Sequence, residues 1–317
     1  MNILPSLKSF FKTHELGKPI LAFILVYVFS AIVAPDRFLS LYNQRSLLLQ
    51  AAPWIVMASG EAFAILMGSI DLSAGSVTAL SSIISGLVLL NTGSFTLAVL
   101  AGLGIGILAG LTNGLLITRL KIFSFVTTLA MLVGGRGLVL AISEGKTYTN
   151  LSKFSSIGGS AGGIPVPFII ALLFVILTWI ILKKTTIGRY IYAIGGNEEA
   201  VRYSGIRAEN VKMFAFTYAG FAYGIAGLLF NGILLAAYPW LAYGGELTAI
   251  ASSVLGGIQL TGGVGSPIGP AFGAYIMTMV TNILVILGFS ADLQYIVTGI
   301  ILVVASAFLT RGLKYVK

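Results

Sequence analysis

Long, continuous runs of apolar residues are the feature that most restricts how this chain can fold. Hydrophobic residues make up 57% of its 317 positions and only 9% are charged, against roughly 25% in soluble globular proteins. A membrane-spanning helix needs about 20 predominantly apolar residues, whereas a membrane β-barrel shows alternating apolar and polar residues. The runs therefore predict an all-α, polytopic membrane protein. They exclude a soluble enzyme, a disordered regulator and a nucleic-acid binder.

Cutting the apolar runs at clusters of charged and turn-forming residues predicts ten transmembrane helices. Eight crossings would also fit if some segments re-enter the membrane. Basic residues precede the first run, but no small-residue cleavage site follows it, so we expect an uncleaved helix. The predicted spans are residues 20–34, 47–67, 72–90, 95–118, 122–142, 165–182, 213–236, 247–260, 268–288 and 293–310.

The distribution of basic residues predicts that both termini lie in the cytoplasm. Lys and Arg concentrate on the cytoplasmic side of membrane proteins. With alternating spans, that side holds fourteen of the nineteen basic residues, the outside holds four, and Arg136 lies within a span. The net charge of +9 therefore reflects orientation in a cell membrane. We expect a single transmembrane domain over residues 1–317, with a long cytoplasmic loop over residues 183–212.

The residues that most enzymes use are scarce in this chain. It has no cysteine and a single histidine, His14, which excludes a thiolate nucleophile, a cysteine metal site and a histidine-based triad. A phosphate-binding loop is also absent, because Gly145-Lys146-Thr147 has Leu140 where such a loop begins with glycine. We therefore expect no catalytic residue, no metal site and no nucleotide site in this chain.

The loop over residues 183–212 contains a pattern typical of a short, capped helix. Asn197 can accept hydrogen bonds at the helix start, two carboxylates follow in the first turn, and Gly205 is typical of a helix end. So much charge on one short helix favours a docking element for a cytoplasmic partner, and a merely solvated loop is the alternative. The residues assigned to this element are Gly195, Gly196, Asn197, Glu198, Glu199, Ala200, Arg202 and Gly205.

Polar side chains within the apolar runs are the candidates for a translocation path or gate. A charge at bilayer depth costs several kcal/mol and usually faces protein or water. Structural roles compete with this interpretation: Asp71 can cap the following helix, with Ser69 as a rival cap, and Arg136 can reach the outer interface. The uncharged residues can form interhelical hydrogen bonds. The candidates are Glu61, Asp71, Asn113, Thr127, Thr128, Arg136, Glu246 and Gln259.

Two glycine-rich interruptions resemble each other and predict broken helices in two repeat-like halves. They are GSIDLSAG over residues 68–75 and GGIQLTGG over residues 256–263. Paired interruptions of this kind lie near the substrate path in many transporters. A further glycine pattern, at a spacing of four residues, predicts close helix packing within the chain. It consists of Gly102, Gly106, Gly110 and Gly114.

Three stretches give the sequence a family resemblance. They are ILMGSIDLSAGS over residues 65–76, YAIGGNEEAVRYSGI over 192–206 and ELTAIASSVLGGIQLTGGVGSPIG over 246–269. Together they resemble the permease subunits of ABC importers for ribose, xylose, arabinose and galactose, relatives of the branched-chain amino acid permeases. Ser69 and Ala74 depart from the commonest family residues but keep their small size. The resemblance extends over nearly the whole chain.

This resemblance implies a mechanism and a set of partners. Two permease chains, as a homodimer or a heterodimer, would form the path through the lipid bilayer. Two cytoplasmic ATP-binding subunits, which hold ATP and Mg, would dock on the helix within residues 195–205. An extracytoplasmic sugar-binding protein would deliver a pentose or hexose. This chain itself would bind no cofactor, catalyse no reaction and have no nucleic-acid partner.

Two alternatives stay open at this point. A stand-alone secondary transporter would use Glu61 or Asp71 as a proton site, although the structured inner loop counts against it. An ABC permease for nucleosides, furanose signals or branched-chain amino acids would share parts of the same motifs. An aromatic cluster near the outer interface, Tyr238, Trp240 and Tyr243, fits an aromatic belt or a sugar-stacking or gating position.

Overall fold

The computed structural model describes residues 15–294, 296, 297, 299 and 300. The fold is almost entirely helical, as expected from the apolar runs. The only strands in this part are Ser160–Ala161 and Ile164–Pro165, which form an antiparallel hairpin, and short helical turns cover Pro35–Phe38, Ser152–Phe154 and Ser155–Gly158. The main helices are α1 (Gly17–Val33), α2 (Leu41–Leu66), α3 (Ala74–Thr92), α4 (Phe95–Arg119), α5 (Ser124–Ser143), α6 (Val166–Lys184), α7 (Thr186–Tyr203), α8 (Ala208–Leu234), α9 (Gly245–Leu255) and α10 (Gly269–Ile286).

Seven of the helices are long and apolar enough to cross a membrane: α2, α3, α4, α5, α6, α8 and α10. Helices α1 and α9 are apolar but shorter. This confirms an all-α polytopic membrane protein. Most of the last predicted span, residues 293–310, lies outside the described residues.

The predicted span over residues 247–260 does not form one continuous helix. α9 has 11 residues, which at 1.5 Å per residue is about 16 Å, half of a hydrocarbon core of roughly 30 Å. Gly257 then takes a positive φ of 87°, a conformation that glycine adopts without strain and that stops the helix. The apolar run therefore continues as irregular backbone until α10 begins.

α8 lies at the centre of the bundle and packs against α4, α2 and α3. The contact with α4 confirms the predicted close packing of the four regularly spaced glycines. A Cβ added to Gly106 would lie 2.8 Å from the Cα of Gly224, and a Cβ on Gly110 would lie 3.0 Å from the Cα of Gly220. Since both partners are also glycines, the two backbones approach without any intervening side chain.

Candidate translocation and coupling site

The first glycine-rich interruption separates α2 from α3 and folds back against α2. Gly68 reverses the chain with a φ of 70°. The backbone N–H of Asp71 then donates to Glu61 Oε1 at 3.1 Å. Asp71 Oδ1 accepts from the backbone N–H of Ser73 at 2.9 Å and from its hydroxyl at 2.6 Å. Asp71 thus fixes the start of α3, although Ser73 occupies the N-cap position itself.

A fully buried polar cluster holds this break in place. It contains Glu61, Asp71, Ser73, Asn113 and Tyr223. Tyr223 donates to Glu61 Oε2 at 2.8 Å, and the Asn113 amide donates to the Ser73 hydroxyl at 3.0 Å. Asp71 Oδ2 and Asn113 Oδ1 have no hydrogen-bond partner in the part of the chain that the structure describes. The cluster joins α2, α3, α4 and α8 inside the bundle.

Helix α5 meets the same break through Thr128. The Thr128 hydroxyl lies 2.9 Å from the Ser124 carbonyl oxygen of its own helix and 3.3 Å from the carbonyl oxygen of Ile70. Thr127 is also buried, and its hydroxyl has no partner among the described residues. Both threonines therefore face other helices of this chain.

Arg136 on α5 binds the loop between α8 and α9. Its guanidinium donates to the carbonyl oxygens of Pro239, Leu241 and Ala242 at 3.0, 2.9 and 3.4 Å. It also lies 5.7 Å from the centroid of the Tyr243 ring, a cation–π distance. The loop carbonyls thus compensate the arginine charge, and the guanidinium holds the loop in one conformation.

Glu246 lies in the first turn of α9, as expected from a helix N-terminal role. Its carboxylate packs against Gly75 near the start of α3, where an added Cβ would overlap it. Oε2 of Glu246 is buried without a hydrogen-bond partner in the described segment. The five ion pairs of the described residues include none between Glu246 and Arg136.

The two helix breaks are in direct contact. The backbone N–H of Gly263 donates to the carbonyl oxygen of Leu66 at 2.8 Å. A Cβ added to Gly262 would lie 2.6 Å from the nitrogen of Gly68. Gln259 lies in the same turn of the second break, where its backbone N–H donates to the Val264 carbonyl at 3.1 Å. The repeat-like interruptions of the sequence therefore meet in space.

The predicted surface helix within α7 is confirmed. The helix is interrupted at Asn197, where φ is −162° and ψ is 101°. The Asn197 side-chain oxygen accepts from the backbone N–H of Ala200 at 3.0 Å, so Asn197 caps a new helical segment. Gly205, with a φ of 79°, follows its end, and its N–H donates to the Arg202 carbonyl at 3.0 Å.

Charged side chains attach this segment to α8. Glu198 accepts from Arg202 at 3.0 Å and from Lys212 at 2.6 Å, and Arg202 also pairs with Glu209 at 2.6 Å. Burial raises the pKa of the Glu198 carboxyl, but the hydrogen bonds from Lys212 and Arg202 outweigh it and hold the pKa below its ordinary value. Glu199 is exposed and makes no ion pair with the described residues.

The part of α7 before Asn197 touches both helix breaks. Gly195 packs so closely that an added Cβ would overlap the Leu66 carbonyl oxygen and the nitrogen of Gly263. The Tyr192 hydroxyl donates to the Gly265 carbonyl at 2.8 Å. Gly196, by contrast, has open space at the position of a Cβ. A displacement of α7 therefore reaches both breaks through backbone contacts.

Comparison with known proteins gives the family. The sequence matches the profile described as branched-chain amino acid transport system / permease component over residues 44–306. The chain belongs to this permease family. Among its relatives, the ribose import permease protein of Haemophilus influenzae is 36% identical, with 90% of each chain covered. That of Bacillus subtilis is 38% identical over 92% of this permease and 91% of the relative.

A relative named for a different sugar is nearly as similar. The L-arabinose transport system permease protein of Escherichia coli is 35% identical over 91% of this permease and 88% of its own length. No solved structure matches the chain significantly. The family resemblance of the three sequence motifs is thus confirmed, and the permease is a multi-pass protein of the cell membrane.

The predicted path residues of the permease fall into separate groups. Glu61, Asp71, Asn113 and Thr128 contact the first break, and Thr127 is buried beside Thr128 on α5. Glu246 and Arg136 lie around the start of α9, and Gln259 lies in the second break. Their placement on a path stays a prediction, because in this structure they contact protein.

Sequence reasoning missed Tyr223, and it named Gly195 only as part of the docking element, without its contact with the two breaks. Tyr223 donates to the buried carboxylate of Glu61, yet one tyrosine in a long apolar helix gives no periodic signal. Gly195 is the point where α7 meets the two breaks, but the motif that contains it does not show which of its two glycines is packed.

Proposed function

We propose that the permease is the membrane-spanning subunit of an ATP-driven ABC importer that moves a monosaccharide, a pentose or hexose, into the cytoplasm. The observation that carries this proposal is the contact of Gly195 with Leu66 and Gly263. It connects a capped surface helix to both broken helices. Relatives named for ribose and L-arabinose match nearly the full length of the chain, which supports the sugar class.

The complete importer contains partners that this chain lacks. Two permease chains, identical or similar, enclose the path, and an extracytoplasmic binding protein delivers the sugar. Two cytoplasmic ATP-binding subunits hold ATP and Mg and dock on residues 195–205. The permease binds no cofactor. Residues 1–317 form one transmembrane domain with both termini in the cytoplasm, which is supported by the excess of basic residues on that side.

Coupling proceeds through packed backbone. Closure of the ATP-binding subunits displaces the surface helix, whose charged network moves the first turn of α8 with it. Because Gly195 is in contact with both breaks, the same displacement shifts the end of α2 and the segment between α9 and α10. Close-packed interiors transmit such shifts and deform little. The bundle has two states that differ in the side on which the path is open. ATP binding shifts the balance between them because the ATP-binding subunits contact the bundle differently in each state.

The predicted path residues have a positioning role in this mechanism. Glu61, Asp71, Asn113, Thr127 and Thr128 hold the first break, whereas Arg136, Glu246 and Gln259 surround the start and end of α9. Broken helices place backbone polar groups beside a substrate at membrane depth. These side chains therefore set the geometry of the breaks that flank the path.

The proposal is tested by sugar uptake into proteoliposomes that contain the permease and its ATP-binding subunits. Labelled ribose, arabinose, xylose and galactose are offered outside with the binding protein. We expect uptake of at least one sugar that requires internal ATP and the binding protein. Uptake by the permease alone, driven by a proton or sodium gradient, would contradict the proposal. Uptake of a nucleoside or branched-chain amino acid in place of any sugar would also contradict it.

A further inference from the structure

Two exposed faces of the helix bundle differ in chemistry. The exposed residues of α6 between Val166 and Leu182 are all aliphatic: Leu172, Leu173, Ile176, Leu177 and Ile180. A face made of leucine and isoleucine alone is suited to lipid. On another face polar side chains are exposed instead: Gln50 on α2 and Thr281 on α10.

A groove runs along this second face, between α2, α9, α10 and the segment that follows α10. It encloses about 440 Å³, within the roughly 300–1,000 Å³ typical of small-molecule pockets. Its polar lining residues are Gln50, Thr248, Thr278, Thr281 and Gln294. This polar lining distinguishes the groove from the aliphatic face of α6.

The polar side chains of the groove have free hydrogen-bonding capacity. The Thr281 hydroxyl donates to the Met277 carbonyl of its own helix at 3.1 Å, which leaves its oxygen as an acceptor. The amide nitrogens of Gln50 and Gln294 donate to Ser46 and to the Phe289 carbonyl at 2.7 and 3.0 Å. Their amide oxygens are not used in these bonds.

Two aromatic side chains complete the lining. Trp54 projects from α2 and packs edge-on against Phe230, and Tyr243 lies at the start of the groove beside α9. Arg136 holds the Tyr243 loop through its three carbonyl contacts. The described lining contains no charged residue. It combines aromatic surface with neutral donors and acceptors.

We infer that this groove is a monosaccharide subsite on the translocation path. The inference rests on the proposed function, and it identifies the residues of this groove as part of the lining of the path. A sugar carries several hydroxyls for the amide and threonine oxygens and a C–H face for the aromatic rings. An amino acid zwitterion would find no charged partner among the described lining residues, which is costly at membrane depth.

Cysteine labelling tests whether the groove is open to water, and the natural absence of cysteine makes single variants clean reporters. Thr112 is a matched control for Thr281: both are exposed, and both donate to the carbonyl four residues earlier, but Thr112 lies on α4 beside the exposed aliphatic side chain of Leu108. A charged, membrane-impermeant thiol reagent is added from outside to the assembled importer.

We expect Thr281→Cys to be labelled and Thr112→Cys to remain unlabelled, because a thiol in lipid does not form the reactive thiolate. Equal labelling of the two, or none at Thr281→Cys, overturns the inference.

Uptake measurements test sugar contact directly. Thr281→Val and Gln50→Leu each remove a polar group, and we expect each to lower the maximal rate of sugar uptake about three- to tenfold, as for the loss of one hydrogen bond. Thr112→Val should transport normally. Normal uptake by both groove variants would overturn the subsite while leaving the importer function intact. If the unmodified importer moves no sugar, the proposed function itself fails.

Discussion

The backbone N–H of Gly263 donates to the carbonyl oxygen of Leu66 at 2.8 Å, so the two helix breaks of the permease are joined by main chain. Gly195 of α7 packs onto this same bond from the side of the surface helix. Three segments that are distant in sequence thus meet through main-chain atoms. A force on the surface helix has a direct route to both broken helices.

Replacing Gly195 by alanine should uncouple the importer. The added Cβ overlaps the Leu66 carbonyl oxygen, and overpacking of this kind costs about 1–3 kcal/mol. We expect sugar uptake to fall about tenfold or more while the ATPase rate stays unchanged. A free-energy cost of this size changes an equilibrium constant by about that factor. The matched control is Gly196→Ala, whose Cβ meets nothing within 4 Å. If both variants transport equally well, the route through Gly195 is wrong.

The charged network of the surface helix should stabilise the protein in a pH-dependent way. The pKa of Glu198 is lowered in the folded protein, so its ion pairs contribute fully above the ordinary carboxyl pKa. That contribution is lost as the pH falls through the lowered value. Thermal unfolding should show Glu198→Gln less stable than the unmodified chain at neutral pH, and the difference should shrink as the pH falls below the ordinary glutamate pKa of about 4.3. A difference that persists in acid would point to packing instead.

The α4–α8 contact predicts opposite effects for two glycines of one helix. Gly110→Ala places a Cβ against the Phe216 carbonyl oxygen and the Cα of Gly220, whereas a Cβ on Gly104 meets nothing within 4 Å. We expect Gly110→Ala to lose about 1–3 kcal/mol of stability and Gly104→Ala to gain about 0.5–1 kcal/mol from helix propensity. Thermal melts in detergent decide this, and equal shifts would contradict the close approach.

Asp71 should tolerate an isosteric amide better than truncation. Its Oδ1 accepts two hydrogen bonds from Ser73, and asparagine keeps an acceptor oxygen at that position. We expect Asp71→Ala to lose about 1–3 kcal/mol and Asp71→Asn to remain close to the unmodified protein in thermal melts. Equal stability of Ala and Asn variants would show that the carboxylate does not hold the start of α3.

Much of this fold follows from local sequence signals. Apolar runs located the spanning helices, the glycines at a spacing of four marked the α4–α8 contact, and Asn197 with Gly205 marked the bounds of the surface helix. Each signal depends on neighbours in the chain. The end of α9 at Leu255 agrees with the glycine-rich interruption over residues 256–263, whereas the predicted span over 247–260 extended into that interruption and was too long.

Long-range contacts of the site were less accessible. Asp71, Ser73 and Glu61 are close in sequence, so their connection could be anticipated in part. The contribution of Tyr223 from α8, and the loop carbonyls that bind Arg136, depend on how distant segments pack. The sequence likewise does not distinguish polar residues held between helices, such as Asn113, from those in an open groove, such as Thr281.

The most direct test of the account is a photo-crosslinking residue placed at Glu199 in the assembled importer. Glu199 is exposed and free of ion pairs with the described residues, so the replacement does not disturb the network around Glu198. The account predicts a covalent product with the ATP-binding subunit from position 199 and none from Lys146 in the predicted outer loop. A crosslink to the ATP-binding subunit from a photo-crosslinking residue that replaces Lys146 would contradict it. A transport-competent importer that gives no crosslinked product from position 199 would also contradict it.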